Sequence, residues 1–489
     1  MKTLLSPTTL LGLAALLVAA LGLSATLVAP TLSHSSAQLG DTSVATAAQS
    51  EVVAGAVEWM PIMASTSLAR LFATSNRSIN APSIAEALSL RGKMIAADLV
   101  NMKLYLYQDG TSTAVYPILT KGRPGSPYET PGGTYQVLTK ETDHLNKAER
   151  VHMPYSMQFY GNYFIHGWPT YADGTPVSST YSGGCIRLST SDAALVYAFA
   201  DRGTEVFVYD TGAGTSTPSI PLGAIPFPQV SASAYLVADI DSGDIYAAHD
   251  ERTERPIASL TKLMTALVAN ETIMFDQKIS VPRGELHDAQ VATDTTAEIF
   301  TVGNLLYPLL MESNNSIADI LASHYGKGAF VAWMNNQAQA LGMASTSFAD
   351  ASGVSRLNSS TPEDLYRLAV YLADKKSFVW NITRTPYKEI VADDGSRYAF
   401  NNFNLFSGQS SFIGGKVGHT DAAQDTMISL FRFPVLNQLR RVAVIVLGSS
   451  GYATDTKRLA DWFARSAATA DQTACAACAL AQGYRKIGI

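Results

Sequence analysis

Two sets of reactive residues follow one another on this chain, and each needs its own scaffold. The first is His166-Gly167 followed by Ser182-Gly183-Gly184-Cys185-Ile186-Arg187. The second is Ser259-Leu260-Thr261-Lys262, then Ser313-Asn314-Asn315, then Lys416-Val417-Gly418. Each set stands in the order and at the spacing that acyl transfer through a covalent intermediate requires. The chain therefore has to supply two active-site frameworks in succession. Its 489 residues allow this, because two or three domains are expected at that length.

Bulk properties narrow the field. The formal net charge is -6 and no long basic block occurs, which excludes nucleic acid as a natural partner. There are 3 cysteines, Cys185, Cys475 and Cys478, too few for a disulfide framework. No His/Cys spacing suits zinc and no H-E-x-x-H is present, so neither a metal nor another cofactor is expected. The C-x-x-C at Cys475 and Cys478 lacks a thioredoxin-like βαβ context and reads as a local disulfide in an exported tail.

The N-terminus points to export. The uncharged run Leu10 to Val28 follows Lys2. A run of roughly 20 apolar residues spans a bilayer or serves as a long secretory segment. Residues 1–30 are thus expected to be a signal peptide or signal anchor, and the protein to be extracytoplasmic. Residues 31–91 read as a Ser/Ala/Thr-rich tether with short helical segments.

From Lys93 the pattern changes to short strands punctuated by Gly and Pro, at 94–99, 103–107, 114–118 and 134–138. A helix is expected near Ser189 or Ser191 and a closing strand at 205–209, giving a mostly-β domain over 92–210. Residues 211–230, rich in Gly, Ser, Thr and Pro, read as a linker. A hairpin through Asp241-Ser242-Gly243-Asp244 opens a region of alternating helices and strands, an α/β (α+β) domain over 231–470. Thr361-Pro362-Glu363-Asp364 carries a helix-start signature. Strands 427–431 and 442–447 are expected to be neighbours, with a helix 456–468 packed on them and a tail over 471–489.

A cysteine nucleophile needs a base, a group that orients the base, and amides for the oxyanion. His166 follows the apolar strand Tyr163-Phe164-Ile165, and Ser182-Gly183-Gly184 places Cys185 on a glycine-rich turn whose N–H groups are expected to face a substrate carbonyl. A buried cysteine and an unrelated histidine would be the bland alternative, and the glycine flanks argue against it. These residues, with Met153 to Met157 and Thr130 to Tyr135 upstream, resemble the L,D-transpeptidase catalytic domain, and the interval 167–181 falls within that family's spacing. The resemblance implies Cys185 as nucleophile, His166 as base and the Gly167 carbonyl as its orienting group. It makes Ser182, Gly184 and Arg187 candidates for substrate binding, Arg187 through a carboxylate. Gly183 stands where the family usually has a second His.

Ser259 and Lys262 share one helical face, so the amine can reach the hydroxyl. To act as a base it must be neutral, and Lys416 is a candidate cation to favour that. Ser-x-x-Lys alone is uninformative, and a set of helix caps and turns would be the plain reading. With Ser313-Asn314-Asn315 after an apolar helix and Lys416-Val417-Gly418 on a strand, the three elements resemble the penicillin-recognising, β-lactamase-like serine enzymes. Within them, Ile257 to Thr265, Ala340 to Met343 and Asp350 to Gly353 look most like D-alanyl-D-alanine carboxypeptidases and endopeptidases. The resemblance implies Ser259 as nucleophile, Lys262 as base, Ser313 as proton relay, and Asn315, Lys416 and Gly418 as substrate contacts. Val417 departs from the family's usual Thr, and Thr420 or His419 are possible substitutes for its hydroxyl.

The implied whole is a bifunctional peptidoglycan-remodelling enzyme acting on penta- and tetrapeptide stems, with β-lactams as inhibitors and membrane contact if the N-terminal segment is retained. The alternatives are an anchored β-lactam or stem-peptide sensor or wall-binding protein, and an L,D-transpeptidase with a non-catalytic serine domain.

Overall fold

The computed structural model describes residues 91–147, 149–210, 220, 222–287, 296–435 and 438–484, with side chains only up to residue 469. The N-terminal segment 1–30, residues 31–90 of the tether and the Cys475/Cys478 side chains lie outside the described residues. No described helix is long and apolar enough to cross a membrane.

Residues 93–209 form two sheets and one helix. The first sheet runs Thr111–Pro117, Lys103–Gln108, Lys93–Asp98, Glu205–Tyr209, Gly133–Gln136. Its closing strand lies parallel to Lys93–Asp98. The second contains Thr139–Asn146, Val151–Tyr160, Tyr163–His166 and Ile186–Arg187, with Thr170–Tyr171 on the side. Helix α1, Thr190–Phe199, starts where the Ser189 hydroxyl accepts from Asp192 N at 3.0 Å. Alternation in the strands turns Ile95, Leu104, Leu106, Val206 and Val208 inward against Met157, Ile165, Ile186 and Val196, which makes one core between the layers.

The remainder is built on a five-stranded antiparallel sheet, in the order Ile245–His249, Ala234–Asp239, Gln438–Ser449, Gln424–Val435, Phe412–Thr420. Met427 pairs with Val446 and Leu430 with Ala443, as their neighbouring apolar runs require. Among the described residues seven helices accompany it: α2 Thr261–Ile273, α3 Val302–Met311, α4 Asn315–Ser323, α5 Lys327–Ala340, α6 Pro362–Lys375, α7 Ser377–Arg384 and α8 Tyr452–Tyr484. α6 begins as its sequence specifies, with Thr361 Oγ1 accepting from Asp364 N at 3.1 Å and Pro362 at the first position. Every residue of α2 is buried, so it is the central helix of the domain. One face of the sheet packs under the helical layer and the other under α8.

Two expectations need correction. The stretch 222–230 is not a free linker: Gly223 N donates to Ser466 O at 2.8 Å, and the Phe227 ring lies 4.9 Å from Trp462. Ile220, Leu222, Ile225 and Val230 supply enough apolar surface to dock on the sheet and α8 despite the intervening prolines. The C-terminal helix expected over 456–468 runs on to Tyr484, through most of the segment read as a tail. Its alanine-rich sequence favours helix without any packing partner being needed to specify it.

Candidate active sites

The cysteine site is made by a pairing that brings distant residues together. Ile165 pairs in parallel with Ile186, and His166 with Arg187, so the histidine sits on the strand beside the one that follows Cys185. His166 Nδ1 contacts Gly167 O at 2.6 Å, which fixes Nε2 as the nitrogen available for base chemistry. That Nε2 is buried and without a hydrogen-bond partner. Gly167 is itself held by its N–H to Pro154 O at 2.8 Å.

The cysteine turn is pinned from within. Thr130 Oγ1 donates to Gly184 O at 2.8 Å, and Ser182 Oγ donates to Cys185 O at 2.5 Å. Gly184 has φ +111°, and a Cβ there would lie 2.1 Å from a Tyr163 ring carbon, so only glycine fits. The Ser182 and Gly184 amides differ from expectation. Ser182 N donates to Lys121 O at 2.9 Å and Gly184 N to Ser182 Oγ at 3.0 Å. These two N–H groups stabilise the turn rather than face a substrate. Gly183, by contrast, has room for a side chain: a Cβ would meet only Glu149 Oε1, at 3.5 Å.

Arg187 is 5% exposed, donates through Nη1 to Ser179 Oγ at 2.7 Å, and keeps a buried Nε without a hydrogen-bond partner. It is thus a nearly dry guanidinium near Cys185, suited to a carboxylate.

Burial favours the neutral forms of both the thiol and the imidazole. Cys185 Sγ donates to Asn162 O at 3.6 Å. Burial pushes the thiol up to about 11, against smaller lowering effects from the Phe164 backbone and Arg187. Burial also pushes His166 down to about 3, against the Gly167 contact. The thiolate fraction should therefore rise with pH well beyond neutrality. The rate of Cys185 alkylation by iodoacetamide is expected to climb about tenfold per pH unit from 7 to 10. A plateau near pH 7 would indicate a thiolate–imidazolium pair and contradict this geometry.

The serine site converges on Lys262, which is fully buried. Its Nζ contacts Ser259 Oγ at 2.9 Å, Asn315 Oδ1 at 2.7 Å and Ser352 O at 2.5 Å. The last two are acceptors only, so the Lys262 amine donates N–H groups to them. Lys416 Nζ donates to Ser313 Oγ at 2.9 Å and to Val417 O at 2.7 Å. Burial first, and the charge of Lys262 second, hold the Lys416 amine well below the usual lysine range, so the residue expected to act as the cation beside Lys262 is itself disfavoured in its charged form. Ser313 has φ 61°, a strained conformation for a residue with a side chain.

Two glycines clamp the turn that carries Ser259. A Cβ on Gly353 would lie 2.1 Å from Ala258 O, and one on Gly418 would lie 2.8 Å from Ser259 N. Between them Ala258 adopts φ 47° and leads into the 3-10 turn Ala258–Leu260 that opens α2. Gly418 thus matters because it lets the strand approach Ser259. The contribution of the 350–353 loop was not evident from motif spacing. Its Ala351 carbonyl accepts from Thr265 Oγ1 at 2.6 Å, which fixes it on α2.

Val417 packs with the apolar cluster that contains Met427. The two proposed substitutes are engaged elsewhere: Thr420 Oγ1 accepts from Ala423 N at 3.1 Å, and His419 Nδ1 contacts Asp425 Oδ1 at 2.8 Å. A cavity of about 490 Å³ opens beside Asn315 and Ser352, two of the partners of Lys262. Among the described residues, no cluster of His, Cys, Asp and Glu is arranged to hold a metal.

Comparison with known proteins gives two family matches on the one chain. Residues 92–208 match the L,D-transpeptidase catalytic domain, and residues 222–451 match D-alanyl-D-alanine carboxypeptidase. The chain is 32% identical over 219 residues to D-alanyl-D-alanine carboxypeptidase DacB2 of Mycobacterium tuberculosis, covering 42% of this chain and 73% of that protein. It is 29% identical over 248 residues to a D-alanyl-D-alanine endopeptidase of Escherichia coli, covering 48% and 78%. Among solved structures, a D-alanyl-D-alanine carboxypeptidase from Mycobacterium tuberculosis aligns with 28% identity and a TM-score of 0.43, covering 50% of this chain and 95% of that one. The chain belongs to the D-alanyl-D-alanine carboxypeptidase family and carries, ahead of that domain, an L,D-transpeptidase catalytic domain.

Proposed function

We propose that this is a bifunctional, extracytoplasmic peptidoglycan-remodelling enzyme, with a cysteine centre in the domain 92–210 and a serine centre in the domain 231–470. The observation that carries the reading is the presence of both family matches on one chain, each spanning its own nucleophile. In the serine centre, Lys262 takes the Ser259 proton as the hydroxyl attacks the D-Ala-D-Ala carbonyl, the proton is relayed through Ser313, linked to Lys416, to the leaving D-Ala amine, and water then hydrolyses the Ser259 ester to release the shortened stem. Asn315 holds the substrate amide and Lys416 the carboxylate. β-Lactams acylate the same Ser259.

In the cysteine centre, Cys185 turns from Asn162 O toward His166 Nε2, transfers its proton there and attacks the carbonyl of the third stem residue; the peptide bond breaks, the proton on His166 leaves with the D-Ala amine, and a thioester remains on Cys185. Arg187 binds a stem carboxylate, and the neutral imidazolium precursor held by Gly167 O is the base. The acyl group then passes to an amine of a neighbouring stem. The two steps fit together chemically: removing the terminal D-Ala of a pentapeptide leaves the tetrapeptide donor that the cysteine centre consumes. Fusion raises the local concentration of that donor.

Val417 favours a second possibility for the serine centre, endopeptidase cleavage within crosslinks, because the hydroxyl that would bind a terminal carboxylate is missing. One hydrogen bond contributes about 1 kcal/mol, or roughly fivefold in rate. Val417→Thr is expected to raise kcat/KM for D-Ala release from a pentapeptide by about three- to tenfold while leaving cleavage of D,D-crosslinked dimers unchanged. Equal effects on both substrates would sink the carboxylate argument. Comparing the wild type on pentapeptide and on dimer decides which reaction dominates.

A further inference from the structure

Neither proposed mechanism uses a buried charged pair that lies where the serine domain meets the cysteine domain. Glu271 and Lys376 are 1% and 0% exposed. Lys376 Nζ lies 3.6 Å from Glu271 Oε1, and Tyr371 OH donates to the same oxygen at 3.1 Å. Burying two ions costs several kcal/mol each, so such a pair is a poor way to gain stability alone. Its hydrogen bonds indicate what else it does.

Lys376 Nζ donates across the seam to Glu129 O at 3.0 Å and to Pro127 O at 3.2 Å. It also lies 6.0 Å from the centre of the Tyr163 ring. These are the two structures that sandwich the residue before the cysteine: a Cβ on Gly184 would be 2.1 Å from the Tyr163 ring and 3.1 Å from Tyr128 O. The carboxylate of Glu271 faces the same ring system, with Tyr135, Tyr160 and Tyr163 held well above the usual tyrosine range by burial and then by its charge.

A second tie runs alongside. Asn162 Nδ2 donates to Thr272 O at 2.5 Å, while the carbonyl of the same Asn162 accepts from Cys185 Sγ. Glu271 and Thr272 occupy the last turn of α2, the helix whose first turn follows Ser259. At 1.5 Å per residue, one rigid helix of roughly 20 Å connects the serine nucleophile to the seat of the cysteine turn.

We propose that Lys376 and Glu271 are positioning residues for the cysteine centre, holding the Pro127–Glu129 segment and Tyr163 against Gly184 so that Cys185 is correctly set, and that this centre is complete only when seated on the serine domain. The inference rests on the L,D-transpeptidation assigned to Cys185.

The test uses the full chain carrying Lys376→Met or the charge-free pair Lys376→Met/Glu271→Gln. Three quantities are measured: benzylpenicillin acylation of Ser259, crosslinking of supplied tetrapeptide muropeptide, and the pH profile of Cys185 alkylation. Acylation should stay within twofold of wild type. Crosslinking should fall at least tenfold, mainly in kcat. The alkylation midpoint should move down from about 11 as water reaches the loosened turn, so that the thiol becomes more reactive to a small reagent while the enzyme becomes slower.

Unchanged crosslinking with an unchanged alkylation profile overturns the proposal, and so does a parallel loss of acylation, which would mark general damage. If wild type does not crosslink at all, the functional assignment fails, and the alkylation profile still decides whether the seam sets the thiol. If the lysine variants do not fold, Asn162→Ala decides it. That residue is exposed, and its loss should shift the profile in the same direction by a smaller amount.

Discussion

Replacing Lys262 by Met is expected to slow penicillin acylation of Ser259 by a factor on the order of 10^3 or more. The substitution keeps most of the side-chain volume at a fully buried position and removes the atom that contacts Ser259 Oγ, Asn315 Oδ1 and Ser352 O. Two acceptors are then left without that donor, which should also lower stability by about 1–3 kcal/mol. Lys262→Arg should be equally slow, because a guanidinium does not lose its proton in water-accessible pH ranges. Stopped-flow acylation measures the first effect and thermal unfolding the second. Near-wild-type acylation by the Met variant would remove Lys262 from the role of base.

The second large effect is expected from His166→Gln. General-base catalysis contributes about 10^2- to 10^4-fold, and the variant should lose that factor in crosslinking of tetrapeptides. D-Ala release should be untouched. The pH dependence of the wild type follows from the same site. Because burial holds His166 down to about 3, the imidazole is neutral and competent throughout the range from 5 to 8. A fall in crosslinking between pH 7 and 5 would therefore have to come from the acceptor amine or the substrate and not from His166. An acid limb near 6 that disappears in His166→Gln would contradict the buried, neutral imidazole.

Local signals carried much of the fold. Ser189, Thr361 and Pro362 mark helix starts through capping and fixed φ, which depend on a few neighbouring residues. The runs at 427–431 and 442–447 pair as expected because both are apolar strands joined by a short connection. What the sequence did not reveal depends on contacts between distant segments. The parallel pairing of His166 with Arg187 joins strands separated by the whole cysteine turn. Gly353 and Gly418 look like ordinary turn and strand residues until their backbones meet Ala258 and Ser259. Lys376 follows Lys375 with no local signal of burial, yet it is fully buried against the other domain. The Ser182 and Gly184 amides looked available for an oxyanion because composition does not say which carbonyl or hydroxyl each N–H will find.

The same contrast holds for the connection between the domains. Its prolines and glycines suggested a tether, whereas Ile220, Leu222 and Phe227 dock it on the serine domain. Only tertiary packing distinguishes an apolar residue in a linker from one in a core.

In the proposed function, two different nucleophiles on one chain act in sequence on one stem peptide. The most direct test is mass spectrometry of the products formed from a pentapeptide muropeptide by the wild type, Ser259→Ala and Cys185→Ala. Under that function, wild type is expected to yield tetrapeptide and then crosslinked dimer, Ser259→Ala to stop D-Ala release, and Cys185→Ala to accumulate tetrapeptide without dimer. Dimer formation by Cys185→Ala at the wild-type rate, or D-Ala release that survives Ser259→Ala, would contradict it.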